Sequence, residues 1–509
     1  MISNRFLKLL FILLIAAVAN AQHHEDPAKR SNGKVDLGEI DFPTSGPADA
    51  QKYFIQGVLL LHSFEYGPAR QAFQEARRLA PSFAMAYWGE AMAWNYSIWG
   101  EQDRKAALSV LALLGATPAE RQAKAPTDRE KLYLSAVELL YSDGDKTKRD
   151  ATYSDAMGEI ARRFPADMEA RAFYSLSILG LTDDVRNTEN YMRAAAVAEK
   201  VFKKNRKHPG ALHYLIHAYD DPVHAPLGLR AARLYGTVAG GASHAQHMPS
   251  HIFFALGMWD EANAANLAAM QTARAAGGGG YHPLYWLEHG YLQLGREADA
   301  AKLVAMVEGD MSKTNPPSAN LRATLALCRA TWLVEARDPV SSAMLEPVDS
   351  TGITSIGVFV GLDLTIGLAH LRQKDIPAAK ADLERLRQRI VAGKASRNSA
   401  TDIVSRYETV SKTELASSSV MEQVLDSAIE FASGDRVAAM RKIVAAGEAE
   451  DRLVFEFGPP AVVKPAWEAA GEMLLEAGRK KEASNAFRRV LKRYPNRRLS
   501  NEGLRKAAN

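Results

Sequence analysis

Residues 466–495 read AWEAAGEMLLEAGRKKEASNAFRRVLKRYP. Counted from Gly471, a small residue follows at +12 (Ala483), an aromatic at +16 (Phe487) and a proline at +24 (Pro495). Residues 53–94, YFIQGVLLLHSFEYGPARQAFQEARRLAPSFAMAYWGEAMAW, carry the same ladder in Gly57, Ala69, Phe73, Ala76 and Pro81. Apolar residues three and four apart share one helix face. Each segment therefore predicts two helices folded back on one another. Small residues sit where the two helices touch, and the aromatic fills the gap to the next unit. Such a unit leaves an apolar face bare, so units must stack.

Further copies lie between these two. Gly367, Ala379, Leu383 and Leu386 fit the ladder, as do Ala439, Ile443 and Ala446. Residues 168–180, 209–240, 243–276 and 281–308 read as more helix pairs, and no alternating strand pattern competes. The chain resembles the tetratricopeptide repeat superfamily over nearly all of its length after residue 21. That resemblance implies an all-α solenoid of antiparallel helix pairs whose first (A) helices line a concave surface. It also implies a binding scaffold with a protein or peptide ligand in the groove, and it names no activity. Irregular insertions interrupt the array at 350–361 and 452–465, and 273–283 is a glycine-rich joint.

The first residues read as an export signal. Arg5 and Lys8 precede an apolar run from Leu9 to Val18, and Ala19-Asn20-Ala21 is an A-x-A cleavage site. Residues 1–21 are thus expected to be removed, and the protein to be periplasmic or secreted. Residues 22–48 read as a flexible tail, 49–310 as an N-terminal array and 311–509 as a C-terminal one. The apolar run is too short for a stable membrane span. The single cysteine, Cys328, allows no internal disulfide and reads as a small buried hydrophobe. A formal charge of +4 on 509 residues gives no reason to expect nucleic acid.

The histidines are unevenly placed. Of 13, nine fall between residues 208 and 289, where an even spread would put about two. His213 and His217 are four apart, and so are His247 and His251, one repeat length later. Residues four apart share a helix face. His244 extends the second pair. Aligning Gly295 and Ala300 with Gly257 and Ala262 maps His244, His247 and His251 onto His282, Tyr285 and His289. The superfamily resemblance implies that these repeat positions face the groove. Imidazole is the commonest ligand for Zn, Cu and Fe, and two such pairs on neighbouring helices could share one ion or hold two. The first ligands are then His213, His217, His247 and His251, followed by His244 and His282. Asp220, Tyr285, Glu288 and His289 are expected as supporting groups or further ligands, with Asp221, Tyr235 and Trp286 nearby.

Pro249 lacks a backbone donor, so it is expected to kink its helix or mark the true start. His208 and His224 read as solvent-facing caps or partners for final helix carbonyls, and His370 as core. His62 is left between core and groove. Glu456, before Pro459-Pro460, reads as part of a loop over the groove. Two competing readings of the cluster stay open: a peptide groove with hydrogen-bonding histidines, and a duplicated packing solution. No H-E-x-x-H, G-x-S-x-G or phosphate loop is present. The sequence thus predicts an exported binding scaffold with a histidine-lined transition-metal site over 209–295. The alternative is a metal-dependent enzyme, hydrolytic or oxidative, using the same cluster.

Overall fold

A computed structural model describes residues 36–181, 186–337, 341–399 and 410–509, with side chains except at 398 and 399. The leader expected at 1–21 lies outside the described residues. Nearly all of what is described is helical, in pairs that fold back across short turns, starting with Ala48–His62 and Tyr66–Leu79. One small exception interrupts the array: residues 95–96 pair antiparallel with 101–102 around the turn Ser97–Trp99.

The ladder residues do what their spacing requires. A Cβ on Gly57 would stand 2.6 Å from the Phe73 ring, and one on Gly89 would stand 2.3 Å from it. Phe73 is therefore wedged between two A helices that can approach only because both lack a side chain there. Phe487 is held the same way between Gly471 and Gly503, at 2.7 and 2.3 Å.

Residues 36–47 differ from the flexible tail expected through residue 48. Phe42 is buried, with its ring 5.3 Å from both Phe54 and Tyr133 and 5.9 Å from Trp88. Glu39 N–H donates to the Lys207 carbonyl at 3.0 Å, and Gly241 N–H donates to that of Asp36 at 2.9 Å. Burial of one large aromatic and these backbone bonds bind the segment to the fold. The division expected at residue 310 also falls inside one core. Leu284, Val304, Leu321, Ala326, Phe359 and Ile366 belong to a single apolar cluster.

The array does not remain an open groove. Its last repeat returns to its middle. Gly257 ends the helix Pro249–Leu256 at φ +66°, where a Cβ would lie 2.3 Å from the Pro495 carbonyl oxygen. Only glycine combines that backbone with that approach. Trp259 Nε1 donates to the Asn496 carbonyl at 3.1 Å, and Asn496 Nδ2 donates to that of Gly257 at 3.2 Å. Buried Arg497 joins Glu468 (2.7 Å) to Glu335 (2.6 Å). The inner face holds a cleft of about 390 Å³. Truncation of Phe73 to Ala is expected to cost about 3–5 kcal/mol, read as a shifted denaturation midpoint. A loss under about 1 kcal/mol would contradict its wedge role.

Candidate metal centre

Three successive A helices supply the imidazoles. In the first, Pro209–Tyr219, His208 caps the start by accepting from Ala211 N–H through Nδ1 at 3.1 Å, and Pro209 takes the first position. The next A helix is split by Pro249 into Ser243–His247 and Pro249–Leu256. His251 N–H then bonds to the Met248 carbonyl, three residues back, while Met248 N–H reaches that of His244, four back. The interruption expected at Pro249 is therefore present. The third helix, Tyr281–Gln293, brings His282 in its first turn.

The six predicted ligands meet. They form two triads, His213–His217–His244 and His247–His251–His282, whose ligand atoms lie within 4.8 Å of one another in each triad. Within them, His244 Nε2 is 3.2 Å from His213 Nε2, His251 Nε2 is 3.2 Å from His247 Nε2, and His282 Nε2 is 3.0 Å from His247 Nε2. Two nitrogens bound to one tetrahedral ion at about 2.0–2.1 Å stand about 3.3 Å apart. The triads lie side by side: the His217 and His251 ring centroids are 5.4 Å apart, those of His244 and His247 6.2 Å.

The other ring nitrogens fix the tautomers. His213 Nδ1 lies 2.7 Å from the His62 carbonyl oxygen. His251 Nδ1 lies 3.1 Å from Asp220 Oδ2, and His217 Nδ1 is 3.6 Å from the same oxygen. His247 Nδ1 lies 2.6 Å from Asn266 Oδ1, an assignment fixed because Asn266 Nδ2 donates to the Ala262 carbonyl at 3.0 Å. Carbonyl, carboxylate and amide oxygens only accept, so Nδ1 of His213, His247 and His251 carries the proton. Their Nε2 atoms then bear lone pairs. His247 and His251 point two lone pairs at each other across 3.2 Å, and buried His217 Nε2 has no hydrogen-bond partner. A cation among these nitrogens would satisfy all of them.

The surroundings keep the rings neutral. Phe64 packs on His213 at 4.2 Å, Phe457 on His251 at 4.5 Å, and Trp286 on His251 and His247 at 4.7 and 4.8 Å. Burial holds His213, His244 and His247 well below the ordinary imidazole range, with neighbouring imidazoles adding to the effect. Burial likewise takes His251 down to about 4, against the pull of Asp220. Asp220 is fully buried; that burial opposes its charge, yet Arg186, His217 and His251 together hold it ionised far below the carboxylate norm. Arg186 also bonds Asp221 at 3.1 Å, and Asp221 in turn accepts from His224 Nδ1 at 2.8 Å. This is the carboxylate–histidine support that metal sites use to orient a ring.

The remaining predicted residues divide. Asp220 supports the cluster as expected, and Tyr235 stacks on His213 at 5.3 Å. Tyr285 and Glu456 line the cleft, beside Trp286, Phe457 and exposed His282. Glu288 does not join: burial, with the charge of Glu335 adding to it, pushes its carboxyl well above the usual carboxylate range. His289 does not join either, and packs on Phe254 and Trp259 at 5.7 and 5.9 Å. Seven residues along a helix carry it about 10 Å beyond His282. Asn266, Arg186, Phe64 and Phe457 were missed. Only Phe457 had a signal, in the insertion that also holds Glu456.

His62 and His208 form a separate buried group around Glu169. His62 Nε2 and His208 Nε2 lie 2.7 and 2.9 Å from its carboxylate, and His62 Nδ1 is 2.8 Å from Tyr214 OH. Burial opposes the Glu169 charge, but His208 and His62 hold it at about 2. His208 is thus a cap, as expected, but buried rather than solvent-facing. Its Nδ1 accepts an amide proton, so Nε2–H donates to Glu169 and no lone pair is left for an ion. His370 is only partly buried and pairs with Asp382 at 2.6 Å, not the full core position expected.

The metal-free protein should lose stability in acid through these rings. Above pH 6.5 both folded and unfolded imidazoles are neutral. Below it the unfolded chain takes up protons that the folded rings refuse, down to about 4 for His251. The expected loss approaches about 1.4 kcal/mol per pH unit for each such ring, measured by denaturation across that window. Unchanged stability between pH 6.5 and 4 would contradict the buried neutral cluster.

Residues 466–497 match the tetratricopeptide repeat family. Comparison with curated proteins found no match. Among solved structures, the chain is similar to the P58(IPK) TPR domain at 14% identity and TM-score 0.25, covering 91% of this chain and 98% of that one. It is similar to the human IFIT1 dimer with m7Gppp-AAAA at 14% identity and TM-score 0.38, covering 92% and 91%. Yeast Tom70 is similar at 11% identity and TM-score 0.31, covering 90% and 88%. At this distance the likenesses bear on function in no way. The matched repeat and the helix pairs built around Phe73 and Phe487 carry the assignment, and repeat arrays of this kind serve as binding scaffolds. Residues 466–497 are a tetratricopeptide repeat, the last of the helix pairs in this all-α array.

Proposed function

We propose that this chain is an exported repeat protein that seats two transition-metal ions, one in each histidine triad, beside a ligand-binding cleft. Zn, Cu and Fe are the metals that imidazole suits. The observation that carries the reading is the pair of facing lone pairs on His247 and His251, 3.2 Å apart with both Nδ1 atoms committed elsewhere. Export rests on the leader-like residues 1–21.

Two features favour a reacting centre over a purely structural one. Each triad offers three protein nitrogens, and a structural site ordinarily takes four protein ligands, whereas a catalytic one keeps a position open. The triad containing exposed His282 also borders the cleft. At about 390 Å³ the cleft fits a small molecule or a few residues of a peptide. The scaffold would then hold the ions rigidly and present them to that ligand.

Elemental analysis of the full chain, purified without a histidine tag and dialysed against each metal in turn, tests the reading. Two ions per chain are expected, and His247→Ala/His251→Ala should lose at least the second triad's ion while keeping its helical circular dichroism. No retained metal, or undiminished metal in the double variant, would overturn it. Chelation should also lower the thermal midpoint of the wild-type chain and leave that of the double variant nearly unmoved.

A further inference from the structure

We propose that the cleft bordering the second triad binds a neutral sugar, with or without ions in the triads. The charges of the lining narrow the ligand first. No Lys or Arg lines the cleft, while Glu414 and Glu456 both do. A phosphate or carboxylate would enter against repulsion, with no side-chain cation to meet it. Glu414 is not free for a cation either. Its carboxylate accepts from Ser355 Oγ at 2.6 Å and from Gly357 N–H at 2.8 Å, at the start of the helix Gly357–Arg372. It also stands in the first turn of the helix Lys412–Ala432. The positive ends of two helices thus offset its charge. Glu456 has an interaction of its own within the chain. A neutral ligand is left.

The rest of the lining is of two kinds. The helix Tyr281–Gln293 and the 452–465 insertion bring aromatic rings: half-buried Tyr285 and Phe457, with Trp286 6.4 Å from Phe457. Three other segments bring uncharged polar groups. Asn320 comes from the start of the helix Ala319–Glu335, Thr354 from the 350–361 insertion, and Thr413 from the start of Lys412–Ala432. All three are half-buried, and their side chains make no hydrogen bond among the described residues. Each offers both a donor and an acceptor. A purely apolar ligand would strip water from them and give nothing back. A free peptide short enough to fit would bring charged ends, for which the lining has no free counter-charge.

A pyranose carries both kinds of surface in one rigid, uncharged ring. Its C–H faces are slightly positive and stack on the negative faces of aromatic side chains. Its rim hydroxyls each donate and accept, as Asn320, Thr354 and Thr413 do. A cleft of about 390 Å³ takes a mono- or disaccharide.

The test is calorimetric titration of the full chain, as purified and again after chelation, with glucose, N-acetylglucosamine, maltose and cellobiose. Saturable binding of at least one, with a Kd of about 1 mM or below, is expected in both states. The charged rings glucuronate and glucosamine should bind at least about tenfold more weakly. Asn320→Ala and Thr354→Ala break no bond within the described chain, and each should raise the Kd about three- to tenfold. Phe457→Ala should raise it by about tenfold; if that variant misfolds, the two polar variants serve as the test. No binding of any of these sugars below about 10 mM would overturn the proposal. So would tighter binding of glucosamine, which would mark a cation site, or of trialanine, which would mark a peptide cleft. Binding lost on chelation, or unchanged in both polar variants, would place the sugar elsewhere and overturn it too.

Discussion

Two nitrogens that can only accept stand 3.2 Å apart at the centre of this molecule, His247 Nε2 against His251 Nε2. Everything around them is arranged to keep them so. The proton on His251 Nδ1 is held by Asp220, which Arg186 keeps ionised. The proton on His247 is held by Asn266, from the following helix Trp259–Ala275. The proton on His213 is held by the carbonyl of His62, at the end of the first helix and 151 residues away in sequence. Three independent anchors thus turn three rings the same way, with the basic nitrogens inward. A core histidine placed by packing alone needs only one satisfied neighbour.

The closure of the array gives this arrangement its low dielectric. An open solenoid would leave its inner face to water, and imidazoles there would titrate near their ordinary value. Here the contact of Gly257 with Pro495 and the Glu335–Arg497–Glu468 link draw the last repeat onto the middle. The same return sets the 452–465 insertion over the cluster, so that Phe457 covers His251 and Gly458 fits against Trp286, where a Cβ would approach to 2.3 Å. The cleft reaches the cluster at His282.

The repeat ladder made the inner face readable. The i,i+4 histidine pairs one repeat length apart, with the alignment of Gly257 on Gly295, put His213, His217, His244, His247, His251 and His282 together, and the structure brings these six close. The failures have local causes. Tyr285 and Glu288 lie on a helix buried on most sides, and helical spacing does not say which side meets the cluster and which meets the next helix. His289 shares the face of His282 but lies two turns along. Residues 36–47 carry only three apolar anchors, Leu37, Ile40 and Phe42, too few for a periodic pattern. The closing contacts join residues more than 200 apart, such as Asn496 and Gly257, with no repeat to mark them. Asn266 belongs to a second (B) helix, whose inward residues the groove positions do not predict.

Crystals of the full chain grown with copper, and measured on either side of its absorption edge, test the central claim most directly. The account predicts two anomalous peaks, one within each triad and each bonded through Nε2. Density at neither triad, or an ion bound through Nδ1 with the Asp220 and Asn266 contacts broken, would contradict it.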